Sequence, residues 1–191
     1  MLALEFVSTV RATRSGPVDA LADVAGMTAW ARENAGGLAL GDGFTATEEL
    51  RREVVELRQA VRALFARAVA PGPASAADAH RLPGFAGSLD LVNAAALAVP
   101  TASRLEWPDG GPPAARSVPA GGADESARIR AVLASSAIAL LAGAERELLR
   151  ACPAPRCVLY FVKEHARQEW CSTGCGNRAR AARHYRQHKA R

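Results

Sequence analysis

The sequence predicts a mainly α protein, with a multihelical N-terminal domain carrying a small β element over residues 1–149 and a knuckle, β-hairpin and helix over residues 150–191. Three observations carry this expectation. Hydrophobic residues make up 49 % of the chain but aromatics only 5 %, so the apolar content is largely alanine and aliphatic side chains, which suit helices. Two stretches, residues 45–70 and 124–150, repeat apolar residues every three or four positions, the period of a helix with one buried face. All four cysteines fall in the last segment as C-x4-C-x13-C-x3-C, a grouping that asks for one shared centre.

In chain order, a first helix is expected within residues 17–33, where Leu21, Val24 and Trp30 recur at helical spacing. Gly41-Asp42-Gly43 then reads as a turn, because it lacks the strand-then-helix context of a nucleotide-binding loop. The helix over residues 45–70 has Thr45 and Glu48 at capping-box spacing, with Leu50, Val54, Leu57, Val61, Leu64 and Phe65 as its buried face. Arg51, Arg52, Arg58 and Arg62 alternate with Glu48, Glu49, Glu53 and Glu56 and are expected on its solvated faces. A loop over residues 71–74 precedes a helix over 87–99 with Leu89, Val92, Asn93 and Leu97. Arg104-Leu105-Glu106-Trp107 is a candidate strand leading into a Pro/Gly-rich loop over 108–122. Asp124 or Ser126 caps the next helix, expected to run to residue 150 with Ile129, Leu133, Leu140, Leu141 and Leu148 inward. Only Ala151 separates Arg150 from Cys152, so no flexible linker is expected.

Charge divides the chain. Residues 150–191 hold ten Lys/Arg against two acids, net +8, while residues 1–149 hold fourteen against seventeen, net −3, so the overall +5 hides a bipolar molecule. A basic segment attached to a mildly acidic body is the footprint of a protein that meets a polyanion, although a solvated charged terminus has the same composition. No apolar run approaches the roughly 20 residues of a membrane span, and Glu5 interrupts the apolar start unlike a secretory signal. A cytoplasmic protein with reduced thiols is expected, nucleoid-associated if it binds DNA. Glu5, Asp19 and Asp23 offer carboxylates to a ligand pocket, but capping and solvation explain them equally, so no small-molecule effector is assigned.

Cys152, Cys157, Cys171 and Cys175 suit zinc, which takes four thiolates tetrahedrally from two short pairs; a redox disulfide pair and an iron–sulfur cluster are the alternatives. His165 lies between the pairs as an exposed hairpin residue, since four sulfurs already fill the tetrahedron. A closed site leaves no position for water or substrate, so no enzyme is expected. Residues 153–156 form the knuckle, residues 158–162 are β-prone, 163–168 turn, and Glu169-Trp170 leads back, giving a hairpin between the two pairs. Ser172 caps a helix whose first turn carries Cys175. Knuckle, hairpin and helix round one metal is the order of a treble-clef zinc finger.

Cys175-Gly176-Asn177-Arg178 resembles the signature of the CGNR zinc finger, together with Cys152-Pro153, Cys157 and Trp170-Cys171-Ser172. Leu2-Ala3-Leu4-Glu5-Phe6-Val7-Ser8-Thr9 is similar to the L-x-L-D-F-V-N-T opening of the stress-induced transcription-regulator domain called ABATE, with Glu5 in place of Asp and Ser8 in place of Asn. Asp19, Leu21 and Trp30 echo a further family pattern. The resemblance implies a helical domain followed by a treble clef, zinc as cofactor, and a DNA-binding regulator of the stress response.

Helical phase then divides the last helix. Cys175, Arg178, Ala182 and Tyr185 share the face toward the metal, which makes Arg178 a scaffold, and the resemblance implies that Gly176 and Asn177 belong to the same structural motif. Arg180, Arg183, His184, Gln187 and Arg191 form an outward stripe with Arg186 at its border, the candidate DNA surface. A single finger reads a short site, so a homodimer is the expected assembly. The alternative is a zinc-stabilised protein-interaction module that docks its basic helix on an acidic partner.

Overall fold

The computed structural model of the chain describes residues 1–13, 16–41, 43–78 and 82–189. Its helices are α1 (Leu2–Val7), α2 (Val24–Glu33), α3 (Ala35–Leu38), α4 (Glu48–Ala68), α5 (Phe85–Leu97), α6 (Glu125–Ala142) and α7 (Thr173–Lys189). Its strands pair antiparallel as three ribbons: β1 (Val10–Thr13) with β2 (Gly16–Asp19), β3 (Thr101–Glu106) with β4 (Ala114–Pro119), and β5 (Leu149–Ala151) with β6 (Tyr160–Val162). Asp42 and Arg191 lie outside the described residues.

α4 is the axis, 21 residues and so about 31 Å long, packed on α1, α2, α5 and α6. Its predicted apolar face is buried from Leu50 to Phe65. Two expectations fail here. Thr47 caps the helix, its Oγ1 accepting the Leu50 N–H at 3.2 Å, while Thr45 Oγ1 lies 3.5 Å from Arg32 Nη2. Arg58 and Arg62 are each only 1 % exposed. Leu57, Arg58, Val61, Arg62 and Phe65 make one continuous band at i, i+3 and i+4, so both arginines stand on the inner edge of the stripe.

Other boundaries shift for local reasons. Residues 17–23 are not helical: Asp19 Oδ1 accepts the Leu21 N–H at 2.8 Å, a turn that competes with helix, and α2 starts after Asp23, whose Oδ1 accepts the Gly26 N–H at 2.7 Å. α6 stops eight residues early, at Gly143, where a Cβ would stand 2.7 Å from the Ala139 carbonyl oxygen. A 3₁₀ turn, Ala144–Leu148, then leads into β5, which leaves Leu148 45 % exposed and puts Leu149 in the core. β4 lies within the predicted loop, held by cross-strand pairing and by Glu106, which accepts from Arg104 at 2.7 Å and Arg116 at 2.6 Å. In α5, Val92 is buried but Leu97 is 76 % exposed.

Phe6, Leu21, Met27, Trp30, Phe65, Ile129 and Leu133 fill the main core, and Leu149 and Tyr160 enter it from β5 and β6. A second cluster joins Cys152, Ala154, Cys157, Phe161 and Cys175. Successive strand side chains point to opposite faces, so Tyr160 serves the first core and Phe161 the second. β6 is therefore a wall common to both.

Candidate metal centre

β5 and β6 pair Leu149 with Val162, Arg150 with Phe161 and Ala151 with Tyr160, and residues 152–159 close the ribbon as the knuckle. The Cys152 N–H donates to Leu159 O at 2.9 Å and the Cys157 N–H to Ala154 O at 2.9 Å, with Arg156 in the left-handed region at φ 62°. The hairpin thus encloses the first cysteine pair instead of spanning the two pairs. The partner of the β-prone segment is Leu149–Ala151, which is already anchored in the main core, and not Glu169-Trp170. Ser172 Oγ accepts the Cys175 N–H at 3.2 Å at the start of α7, which puts Cys175 in that helix's first turn.

All four Sγ atoms lie within 4.8 Å of one another, with Cys157–Cys171 at 3.7 Å and Cys171–Cys175 at 3.5 Å. A disulfide would need about 2.05 Å. A tetrahedron with metal–sulfur bonds near 2.3 Å has edges of about 3.8 Å, so the cluster fits one all-thiolate metal ion and not two cross-links. Crowding makes each ionised sulfur an obstacle to the next. Cys152 is driven down by hydrogen bonds from the Cys157 and Cys171 thiols and the Cys171 and Ala154 amides, whereas contact with Cys152 pushes Cys157 and Cys171 up. A divalent cation lets all four ionise together. Outer donors are in place: the Cys171 N–H reaches Cys152 Sγ at 3.5 Å and Arg178 Nη2 reaches Cys175 Sγ at 3.0 Å.

The body grips the knuckle through a buried ionic cluster. Arg62 Nε and Nη2 donate to Asp78 Oδ1 and Oδ2 at 2.7 and 3.0 Å, Nη1 to Val7 O at 2.7 Å, and Nη2 also to Val158 O at 3.1 Å. Ser75 Oγ donates to the same Val158 carbonyl at 2.8 Å, and Tyr160 Oη to Asp78 Oδ2 at 2.7 Å. Burial, then the Asp78 carboxylate, push the Tyr160 phenol well up, so it stays a donor. Val158 directly follows Cys157; a carbonyl one residue from a ligand is therefore held by two groups of the body. Sequence reasoning missed this cluster, whose one legible signal was the spacing of Arg62 on the buried stripe.

Two family models match the chain. Residues 1–144 match ABATE, described as “putative stress-induced transcription regulator”, and residues 149–188 match the CGNR zinc finger. The chain belongs to the ABATE family. The finger match and the four clustered thiols together make zinc its cofactor. No curated protein matches the chain. Among the described residues, no helix is long and apolar enough to cross a membrane.

In this ABATE protein the finger's signature has a packing explanation. A Cβ on Gly176 would stand 3.1 Å from Trp170 Cε3, so the indole lies against bare backbone. Asn177 Oδ1 accepts from Arg180 Nη2 at 2.7 Å, and the Arg180 guanidinium lies 5.7 Å over the Trp170 ring. Arg180 is exposed but committed to this stack, unlike the rest of the predicted stripe. Arg183, His184, Arg186 and Gln187 are all exposed, as is Tyr185 at 69 %, because the packed part of α7 ends near Ala182. His165 is exposed. At the ABATE opening, Glu5 pairs with the Met1 ammonium at 3.1 Å, and Thr9 Oγ1 accepts from Arg58 Nη1 at 2.8 Å. Asp19 takes both Arg58 Nη1 and Nη2 at 2.6 Å and Asp23 caps α2, so neither carboxylate is free for a ligand.

Proposed function

We propose that the protein is a zinc-organised transcription regulator that binds DNA through the exposed C-terminal part of α7, with the helical body serving sensing or assembly. The observation that carries this reading is that α7 is fixed at one end by Cys175 and Arg178 and carries Arg183, His184, Arg186 and Gln187 in solvent with no acid on the helix. Helix and metal together turn these side chains into a fixed cationic ridge, about 10 Å long over residues 183–189, suited to phosphates along a groove. Gln187 and the arginines also have the donors to reach base edges.

A salt titration tests it. Affinity for a random duplex, followed by fluorescence anisotropy on zinc-loaded protein, falls log-linearly with salt at about 0.9 per phosphate neutralised. Arg183→Ala and Arg186→Ala each lower that slope by about one unit while zinc stays bound. No measurable affinity at low salt, or a slope unchanged by both substitutions, discards the reading in favour of a protein-docking finger.

A further inference from the structure

Away from α7, the C-terminal end of α4, the first turns of α5 and the 3₁₀ turn before β5 enclose an open groove of about 780 Å³. Its lining is mixed, with Leu64, Val69, Leu89 and Leu141 beside charged side chains. Phe85 is 47 % exposed and Leu89 39 % exposed, large apolar surfaces left in solvent on one side of the same depression. Among the described residues its rim carries Arg67, Arg146 and Arg150 and one acid, Glu147. Glu147 is taken by Arg146. Arg67 lies with its guanidinium 4.8 Å over the Phe85 ring, and Arg150 Nη1 reaches only the Glu147 and Leu149 carbonyls; among the described residues neither meets a carboxylate.

We propose that this groove binds a small amphipathic organic anion, a carboxylate on an apolar or aromatic body, with Arg67 and Arg150 on the anionic head and Phe85 and Leu89 under the tail. Two uncompensated guanidiniums select negative charge, and Arg in particular offers the paired donors that fit a carboxylate. The exposed Phe85 and Leu89 within the depression select a ligand with a hydrophobic part, which a phosphodiester backbone lacks. The placement gives such a ligand a consequence. Arg67 belongs to α4 and Arg150 to β5, two residues before the ligand Cys152, so an anion bridging them ties the body to the metal module. The inference goes beyond the DNA reading and does not rest on it, because binding is measured on the protein alone.

The probe is 4-phenylbutyrate, titrated calorimetrically into the zinc-loaded full chain beside 4-phenylbutyramide, inorganic phosphate and a short DNA duplex. The carboxylate should bind saturably at one per chain and the amide about tenfold more weakly or less, since the charge-assisted bonds are lost. Arg67→Met and Arg150→Met, both at exposed positions, should each weaken binding by about tenfold with unchanged circular dichroism. Leu89→Ser should weaken the carboxylate but leave phosphate unaffected. The proposal is overturned by any of three results: no saturable binding at millimolar 4-phenylbutyrate, phosphate binding as tightly as the carboxylate, or duplex DNA displacing the probe from the groove.

Discussion

α4 and α7 are the two arginine-rich helices of this molecule, and they use the same side chain in opposite ways. α4 carries four glutamates of its own, yet its inner arginines turn from them to Asp19 and Asp78, far away in sequence. α7 carries no acid, and its arginines beyond Ala182 stay in water. The difference lies in what faces each helix. Arg58 and Arg62 point at a core that closes over them and must supply counter-charge, because an unpaired buried ion costs several kcal/mol. Arg183 and Arg186 extend past the metal module and stay exposed among the described residues. One set of arginines fixes where the module sits; the other is what the module presents.

The largest effect expected from breaking this arrangement is loss of the metal. Structural zinc contributes about 10–16 kcal/mol in finger peptides, comparable with the stability of a whole domain. Chelation, or Cys157→Ser, should melt the module and release α7. Because β6 is shared, the loss should spread: Leu149 and Tyr160 leave the main core, and the body's melting temperature falls. Near-ultraviolet and far-ultraviolet circular dichroism with and without chelator check this. A body that melts at the same temperature in both states would mean that the two cores are independent.

Next comes the ionic grip itself. Arg62→Met leaves Asp78 buried at 2 % side-chain exposure without its cation and frees the Val158 carbonyl from one donor. Breaking one partner of a buried pair costs about 3–5 kcal/mol, readable as a shift in urea midpoint. The double change Arg62→Met with Asp78→Leu should recover part of that loss, since no charge then remains unpaired, although the Tyr160 hydroxyl and the Val7 carbonyl lose Asp78 and Arg62 as partners. It should not restore zinc affinity, because Val158 next to Cys157 has still lost its Arg62 donor. Equal zinc affinity in the double variant and the original would confine the grip to the body.

These residues also mark where the sequence was legible. Cys152, Cys157, Cys171 and Cys175 announce their centre because a metal site needs few residue types at short spacing, and the stripe from Leu50 to Phe65 announces its helix because period and burial coincide. Arg58 and Arg62 did not announce their burial, since the neighbouring glutamates on α4 offered plausible partners, whereas the actual ones depend on how β2 and residues 75–78 fold back on the helix. The hairpin was misplaced for a related reason. Tyr160-Phe161-Val162 reads as a strand from any direction, and only the early stop of α6 at Gly143 frees Leu149–Ala151 to pair with it.

A smaller effect is expected at Asp19, whose carboxylate is 35 % exposed against 1 % for its partner Arg58. Burial raises its pKa, but hydrogen bonds from Arg58 and the Leu21 amide, with the charges of Arg58 and Arg51, outweigh burial and hold it below the ordinary 3.8. A folded value below the unfolded one contributes stability that is complete above the unfolded value and disappears as pH falls through the folded value. Asp19→Asn should therefore cost about 1–3 kcal/mol at neutral pH, the range for hydrogen bonds to charged groups lowered by solvent screening of a carboxylate more than a third exposed. The gap from the original protein should narrow below about pH 4, in urea denaturation repeated across pH. A gap that stays constant down to pH 3 would assign Asp19 a role in packing instead of charge.

The smallest effect on stability, and the sharpest contrast with α4, belongs to Arg183→Ala and Arg186→Ala. Both side chains are exposed and among the described residues meet no carboxylate, Arg186 Nε donating to Ala182 O at 3.3 Å. Surface changes of this kind stay within about ±0.5 kcal/mol. Alanine also has the higher helix propensity, so the sign can be slightly stabilising. Set against several kcal/mol for Arg62→Met, the pair measures how far one residue type diverges with its surroundings. Destabilisation of α7 by more than about 1 kcal/mol in either variant, judged by urea denaturation with zinc bound, would mean that the ridge packs on something and is not a free surface.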